Sequence, residues 1–193
     1  MKKLLLLVTA AVFSALMVSA QSSYKVATAK NLVKGTSSLH DWRMVGEKTG
    51  GTATINTSGT LAITALNLRM VTKSLKSVKE NGSYYDASMD KNAYKALNAD
   101  KFPEIIYTLT KTSNIKTSGN TTTLTATGNL TIAGKTNAVT FPVKAVVNGN
   151  NITFTGSTKF KLTSFGIKPP TALLGTIKTG DDVTIEINTT YTK

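Results

Sequence analysis

A two-residue period dominates the chain from about Tyr24 onward: apolar residues alternate with polar ones, and Thr, Val, Ile, Tyr and Phe are frequent. Successive side chains of a β-strand point to opposite faces of its sheet, so each such segment has one apolar and one polar face. Half-solvated strands joined by short turns are typically antiparallel, and they pack as a sandwich or close as a barrel. The pattern therefore predicts an all-β protein.

Four segments show the alternation most clearly, with polar positions that are mostly Thr, Lys and Asn. Their apolar positions are Leu124, Ala126, Leu130 and Ile132 in the first, Val139, Phe141, Val143, Ala145 and Val147 in the second, Ile152, Phe154, Phe160 and Leu162 in the third, and Val183, Ile185, Ile187 and Tyr191 in the fourth. Strands of about 9 to 13 residues favour strong tilt and closure, so we predict an antiparallel β-barrel of about eight strands.

Turn residues separate the predicted strands at Ser58-Gly59, at Gly134-Lys135 and at Asn148-Gly149-Asn150. Glycine and asparagine adopt the positive φ that hairpin turns need. In LAITALNLRMVT the alternating apolar residues occupy odd-numbered positions up to Ala65 and even-numbered positions from Leu66 to Met70, which predicts a β-bulge near residues 65 and 66. Pro142 has no backbone N–H and therefore needs an edge or bulged position.

One segment, SMDKNAYKALN, breaks the alternation and predicts the only short α-helix. We expect Ser88 to cap it and Lys101-Phe102-Pro103 to end it. One side of this helix carries the apolar residues Met89, Ala93, Tyr94 and Leu97. That stripe has to cover apolar surface, at an open mouth of the barrel or on its outer flank. The preceding segment, TKSLKSVKENGSYYDA, is predicted to be a long polar loop, of a length found in lids or in disordered segments.

Residues 1–20 have the pattern of a secretory signal peptide: Lys2 and Lys3, an apolar run, and small residues before Gln21. We expect cleavage after Ala20, which leaves a single domain at 21–193 that is periplasmic or secreted. The apolar run is shorter than a membrane-spanning helix needs, so no stable membrane insertion is expected after cleavage. The chain has no cysteine, so its fold has to be held without disulfides.

The chain is strongly basic, with a formal net charge of +13. Without Lys2 and Lys3, the 23 basic residues become 21 against 10 acidic ones, a net charge of +11. The lysines are scattered, without a compact basic run or interleaved aromatic residues, so nucleic-acid binding is not predicted. A solvated basic outer surface is the favoured interpretation.

Motifs for cofactors are incomplete. Gly134-Lys135-Thr136 looks like the end of a phosphate-binding loop, but Asn129 stands where the first glycine is required. One histidine and no cysteine exclude the usual zinc sites. Asp181-Asp182 is interpreted as a solvated turn rather than a calcium site. We predict no metal and no cofactor other than a bound lipid.

The stretch SLHDW, residues 38–42, contains the only histidine and the only tryptophan. On a strand, His40, Trp42 and Met44 share the interior face, and the opposite-facing Asp41 cannot orient the imidazole as a triad acid does. Three interpretations of His40 remain open: a side chain satisfied by a backbone carbonyl or water, a polar contact for a bound headgroup, and a general base. No catalytic residue is predicted.

Several segments together resemble the YceI-like family of exported lipid- or polyisoprenoid-binding proteins. The most specific are KFPEI at Lys101–Ile105 and LTIAGKT at 130–136, and the resemblance extends over nearly all of the mature chain, including VKGTSSLHDWRMVG, LTSFGIKPP and DDVTIEI. The resemblance implies an extended, lipocalin-like antiparallel barrel with a helix, which holds an isoprenoid or other amphiphilic chain in its interior. It implies no enzymatic activity.

We therefore predict a non-catalytic binding or carrier protein for an isoprenoid or other long-chain, fatty-acid-like lipid, and leave a homodimer open. The alternative is a filled barrel that acts as an envelope interaction module through its basic surface. The interior mixes small Ala126, Ala145 and Gly156 with large aromatic residues, which suits a cavity or a packed core. The predicted interior ligand contacts are His40, Trp42, Met44, Leu68, Met70, Tyr107, Leu124, Leu130, Phe141, Phe154, Phe160 and Phe165.

Overall fold

Residues 21–193, which the computed structural model describes, contain 13 β-strands and one α-helix, α1 (Ala87–Ala96). Three short 3-10 helices lie at Thr72–Ser74, Leu162–Phe165 and Leu173–Gly175. The predicted signal peptide lies outside the described residues. The strands are β1 (Ser22–Ala29), β2 (Leu32–Ser37), β3 (Trp42–Gly46), β4 (Thr49–Gly50), β5 (Thr52–Asn56), β6 (Ala62–Val71), β7 (Leu75–Ser77), β8 (Glu104–Ser118), β9 (Thr121–Ile132), β10 (Lys135–Asn148), β11 (Asn151–Lys161), β12 (Thr171–Ala172) and β13 (Ile177–Thr192).

Eight strands close an antiparallel barrel in the order β1-β5-β6-β8-β9-β10-β11-β13. The ring closes because β13 also pairs with β1, where Val26 lies opposite Tyr191. The other strands extend the wall at one end: β2, β3 and β7 continue outward from β13, while β4 pairs with β6 and β12 with β13. The predicted all-β, lipocalin-like barrel with one short helix is confirmed.

The two ends of the barrel differ in how the strands are connected. At one end, which we call the hairpin end, short turns join β5 to β6, β8 to β9 and β10 to β11. At the opposite end, the helix end, lie the β2–β3 turn at 38–41 and both long connections, which contain α1 and residues 162–176. The antiparallel order requires this segregation, because successive connections alternate between ends.

The interior follows the predicted alternation. Along β9 every second residue is buried, as the burial of Leu124, Ala126, Leu130 and Ile132 shows. At the hairpin end a core cluster includes Ile55 and Ile152, both fully buried, and Leu61 from the β5–β6 turn. Leu61 is only 3% exposed, so a turn residue helps to close this end.

The three predicted turns are confirmed at the hairpins β5–β6, β9–β10 and β10–β11. The bulge lies one residue before the predicted position: Thr54 is opposite Ala65 and Ile55 is opposite Ile63, which leaves Thr64 as the extra residue. Pro142 lies just beyond the last pair of the β10–β11 ladder, at an end position of the kind that a residue without an N–H needs.

The predicted helix exists, but its bounds differ. Asp86, not Ser88, is the N-cap, since its carboxylate accepts hydrogen bonds from the backbone N–H of Ser88 at 2.5 Å and of Met89 at 3.0 Å. These bonds, the one from Met89 foremost, hold the pKa of Asp86 below its usual range. The helix ends at Ala96, before the predicted end. The preceding segment is not all loop, because it contains β7 and a bridge between Val78 and Tyr84.

Candidate ligand-binding site

Two cavities occupy the barrel interior. One, toward the hairpin end, has a volume of about 110 Å³, and the other, toward the helix end, has a volume of about 440 Å³. We call them the narrow and the wide cavity. Both are lined by Val33, Met70, Ile105 and Ile185, so they meet at this level of the barrel.

Four aromatic side chains line the narrow cavity together with aliphatic ones. The rings of Tyr107 and Phe141 have centroids 5.7 Å apart, and those of Phe154 and Tyr191 meet edge to face, also at 5.7 Å. These distances lie in the range of favourable aromatic pairs. The hairpin end is therefore a packed core with a small residual void.

The Tyr107 hydroxyl is the one buried side-chain nitrogen or oxygen atom that has no hydrogen-bond partner among the described residues. Burial raises the pKa of Tyr107 to about 12. The neighbouring Tyr191 is satisfied, since its hydroxyl donates to the backbone carbonyl of Asn67 at 2.8 Å. Burial, with a smaller contribution from Tyr107, also raises the pKa of Tyr191. The Tyr107 hydroxyl can thus hydrogen-bond to a group that enters the narrow cavity.

The wide cavity lies under α1. Met89, Ala93 and Leu97 line it from the helix, so three members of the predicted apolar stripe cover the barrel mouth. The fourth member, Tyr94, packs against the cluster of Met44, Met70 and Leu75 and donates its hydroxyl proton to the Leu75 carbonyl at 2.7 Å. The opposite wall comes from strand residues that include Trp42, Met44 and Phe160.

Asp90, only 2% exposed, fixes α1 over the wide cavity. Its carboxylate accepts hydrogen bonds from the Ser77 N–H at 2.7 Å and from the Tyr84 hydroxyl at 3.0 Å. Lys76 adds an ion pair at 3.4 Å, and its hydrogen bond to Asp90 is the main reason that the pKa of Lys76 is raised. A buried carboxylate with several partners ties the helix to β7.

His40 lies at the mouth and not on the interior wall, because residues 38–41 form the β2–β3 turn and not part of a strand. Its side chain is exposed. The ring nitrogen Nδ1 lies 2.6 Å from the Asp41 carbonyl oxygen, and Nε2 lies 3.2 Å from the Tyr85 hydroxyl. The rings of His40 and Tyr85 meet edge to face at 5.7 Å. The prediction of a strand through SLHDW was therefore wrong, and the turn at 38–41 replaces it before β3 begins at Trp42.

Trp42 begins β3 and lies across β2. Its indole Nε1 donates to the Thr36 carbonyl at 2.9 Å. A Cβ on Gly35 would lie 2.2 Å from the indole atom Cζ2, so only glycine leaves room for the ring. This close approach places the single tryptophan against the wide cavity, so a ligand that enters the cavity should change the tryptophan fluorescence.

The structure divides the predicted contact residues between the cavities. Met70 lines both, and Phe165 lines neither, because it is buried behind Phe160 with ring centroids 5.0 Å apart. The narrow cavity is lined by Leu68, Tyr107, Leu124, Leu130, Phe141 and Phe154. The wide cavity is lined by His40, Trp42, Met44 and Phe160. Contact of these residues with a ligand stays a prediction.

Sequence reasoning missed two kinds of lining residue. Val33 and Ile105 lie in strands where two apolar residues are adjacent, so the alternation does not tell which one faces inward. Leu39, Tyr85 and Leu173 line the mouth of the wide cavity from turns and loops. Loop residues have no periodicity, and no sequence signal identified them.

No group of three or more His, Cys, Asp or Glu side chains that could hold a metal ion occurs within residues 21–193. The Asp181 carboxylate accepts hydrogen bonds from the Thr163 backbone N–H at 2.9 Å and the Thr163 hydroxyl at 2.6 Å, which hold the pKa of Asp181 below its usual range. Asp182 pairs with Lys161 at 3.2 Å.

Within residues 21–193, no helix has the length and apolar character needed to cross a membrane.

A family model described as the YceI-like domain matches residues 22–191. The fold is similar to that of BcnA from Burkholderia cenocepacia, at 18% identity and a TM-score of 0.61 over 83% of this chain and 95% of that one. It is also similar to a mutant Campylobacter jejuni YCEI protein with a monobromobimane guest, at 15% identity and a TM-score of 0.59 over 78% of this chain and 84% of that one. No curated protein sequence matches the chain.

Proposed function

The chain belongs to the YceI-like family, and from this premise we propose that it is a non-catalytic binding or carrier protein for an isoprenoid or another long-chain amphiphilic lipid. The observation that carries the proposal is the wide, mostly apolar cavity of about 440 Å³ that continues into the narrow cavity through four shared lining residues. A void of this kind suits a long, thin, apolar occupant.

The volume supports the proposal. An engineered cavity of about 150 Å³ already binds benzene, and pockets for small ligands typically have about 300–1,000 Å³. The wide cavity, at about 440 Å³, lies within that range. Each methylene group that it takes from water contributes about 0.8 kcal/mol, so a chain of several isoprene or acyl units binds tightly without a specific hydrogen bond.

The polar groups of the mouth suggest how the ligand is oriented. His40 and the hydroxyl of Tyr85 lie together where the wide cavity opens, whereas the walls farther inside are apolar. Burial of a charged headgroup without partners costs several kcal/mol, so the headgroup stays at the mouth and the chain enters. In this arrangement His40 contacts the headgroup.

The contacts of His40 favour binding over catalysis. Its two ring nitrogens approach a backbone carbonyl and a tyrosine hydroxyl, and not a carboxylate that would orient it as a general base. The proposed site of action is the periplasm or the exterior of the cell, on the ground of the signal-peptide pattern of residues 1–20.

The test begins with the purified protein. Its organic-solvent extract is analysed by mass spectrometry. The delipidated protein is titrated with geranylgeraniol in a calorimeter and with a fluorescent fatty acid, whose own emission is followed. We expect saturable binding. Ala93→Trp, which places bulk in the wide cavity, should weaken binding about tenfold or more. The matched control, Lys95→Trp on the exposed side of α1, should leave affinity within about twofold.

Three results would contradict the proposal: no co-purifying lipid together with no saturable uptake, equal affinity of Ala93→Trp and wild type, or equal losses in both variants. A protein that binds only anionic polymers, and releases them as salt screens its charges, would instead support the interaction module.

A further inference from the structure

Large apolar side chains are exposed around the mouth of the wide cavity. Leu39 is 65% exposed, Leu173 71% and Leu174 109%. Leu39 and Leu173 also line the cavity, and Leu174 follows directly in the chain. We call these three residues the leucine rim. Exposed leucines that are grouped at an opening typically mark an interaction surface.

The residues of the rim come from two distant parts of the chain that hydrogen bonds join. The N–H of Ser38 donates to the Lys178 carbonyl at 2.9 Å, and the N–H of Lys178 donates to the Ser38 hydroxyl at 3.0 Å. These bonds join the β2–β3 turn to the segment that follows Leu173 and Leu174. Leu39 and the leucine pair are therefore held at the same side of the mouth.

The backbone of the leucine pair is in a disfavoured conformation. Leu173 has φ of 47° and Leu174 has φ of 56°, both in the left-handed region that favours glycine. The turn is closed by Thr176, whose hydroxyl and N–H both donate to the Leu173 carbonyl, at 2.8 and 3.2 Å. Exposed side chains in a strained turn add nothing to the core, and strain of this kind concentrates at functional sites.

The charges beside the leucine pair favour an anionic partner. Residues 166–180, which carry this pair, include two lysines, Lys168 and Lys178, and no acidic residue. The Asp181 and Asp182 carboxylates that follow are bound by Thr163 and Lys161, which leaves Asp41 as the exposed carboxylate beside Leu39. Both lysines are exposed, and neither takes part in an ion pair with another residue of the described 21–193 segment. Leucines flanked by free lysines match the interface of an anionic bilayer, which offers acyl chains below a negative surface.

We propose that the leucine rim docks the mouth of the barrel on an anionic lipid bilayer, with the leucines among the acyl chains and Lys168 and Lys178 at the headgroups. The docking concerns the outer surface and does not require the proposed carrier function. If that function also holds, the wide cavity opens toward the membrane, and an amphiphile passes between bilayer and barrel without crossing bulk water.

The experiment measures flotation of the protein with vesicles of phosphatidylglycerol and phosphatidylcholine, and with vesicles of phosphatidylcholine alone. The test variant is Leu173→Asn with Leu174→Asn, since asparagine tolerates the left-handed conformation. The control is Ile115→Asn, because Ile115 is 38% exposed near the hairpin end. We expect the double variant to bind the anionic vesicles about tenfold or more weakly, the control to change by less than about twofold, and neutral vesicles to bind poorly.

The inference would be overturned if the double variant bound the anionic vesicles as well as wild type does, or if Ile115→Asn lost as much binding. It would also be overturned if salt abolished vesicle binding completely and the leucine substitutions had no effect on it, or if wild type formed a dimer that the double variant does not form. The last result would assign the rim to a second copy of the chain. Titration of the same samples with a fluorescent fatty acid keeps the two proposals apart. Vesicle binding without uptake of either the fatty acid or geranylgeraniol would contradict the carrier function and leave the docking intact.

Discussion

The hairpin end and the helix end belong to the same barrel, yet one is packed and the other hollow. The hairpin end leaves about 110 Å³ unfilled, while the helix end leaves about 440 Å³. An alternating sequence therefore specifies which side chains point inward, but not whether they meet. That depends on the distance between opposite walls and on the size of the side chains.

The difference has a structural cause. At the hairpin end the ring of strands is closed by hydrogen bonds, and two aromatic pairs, Tyr107 with Phe141 and Phe154 with Tyr191, pack inside it. At the helix end part of the wall is α1, which is not hydrogen-bonded into the sheet as a strand is and is held by Asp90. The small side chain of Ala93 faces the cavity there. One end therefore has a packed core, and the other encloses open space.

The largest expected effect is on the free energy of unfolding when one interior side chain is truncated to alanine at each end. Phe154→Ala at the hairpin end should lower the free energy of unfolding by about 3–5 kcal/mol, because it removes a buried ring from a packed cluster. Met89→Ala at the helix end should cost only about 1 kcal/mol, since its side chain borders space that is already open. Urea unfolding followed by circular dichroism measures both. Similar losses would mean that the ends do not differ in packing.

The second prediction concerns the attachment of α1. Asp90→Ala should lower the free energy of unfolding by about 2–3 kcal/mol, because the buried N–H of Ser77 loses its acceptor. Hydrogen exchange should accelerate in α1 more than in β9 and β10. Asp100→Ala is the control, since Asp100 pairs with Lys73 at the surface and should matter little. Unchanged exchange in α1 would show that the helix is held in another way.

The smallest effect tests the buried hydroxyl of the narrow cavity. Tyr107→Phe should raise the free energy of unfolding at neutral pH by about 1 kcal/mol, since it removes a hydroxyl without a partner among residues 21–193. The pKa of Tyr107 is raised to about 12, so the folded state disfavours the phenolate. The stability that this provides is fully present below the unfolded pKa of about 10 and is lost as the pH rises toward about 12.

The direction of this pH dependence is checked by measuring the urea midpoints of wild type and Tyr107→Phe from neutral pH to about pH 12. Wild type should lose stability faster than the variant above about pH 10. A variant that is less stable at neutral pH would show that the Tyr107 hydroxyl makes a hydrogen bond, and parallel pH profiles would show that Tyr107 does not titrate with unfolding.

The interior set was predictable from sequence where a strand shows strict alternation, as at Leu124 and Phe154. It was not predictable at His40, because a turn replaces the expected strand and turns have no period. The cap of α1 was misplaced by two residues, since Asp86 and Ser88 are equally good capping residues and only the backbone conformation distinguishes them.

The sequence by itself determined the class of fold, the hairpin turns, the helix and most of the side chains that face inward, because these depend on local periodicity and turn chemistry. The tertiary structure alone decided that the barrel closes through β1 and β13, that the void lies under α1, and that Leu39 joins Leu173 and Leu174 at one mouth. These features join residues far apart in the chain, and no local pattern encodes the distance between them.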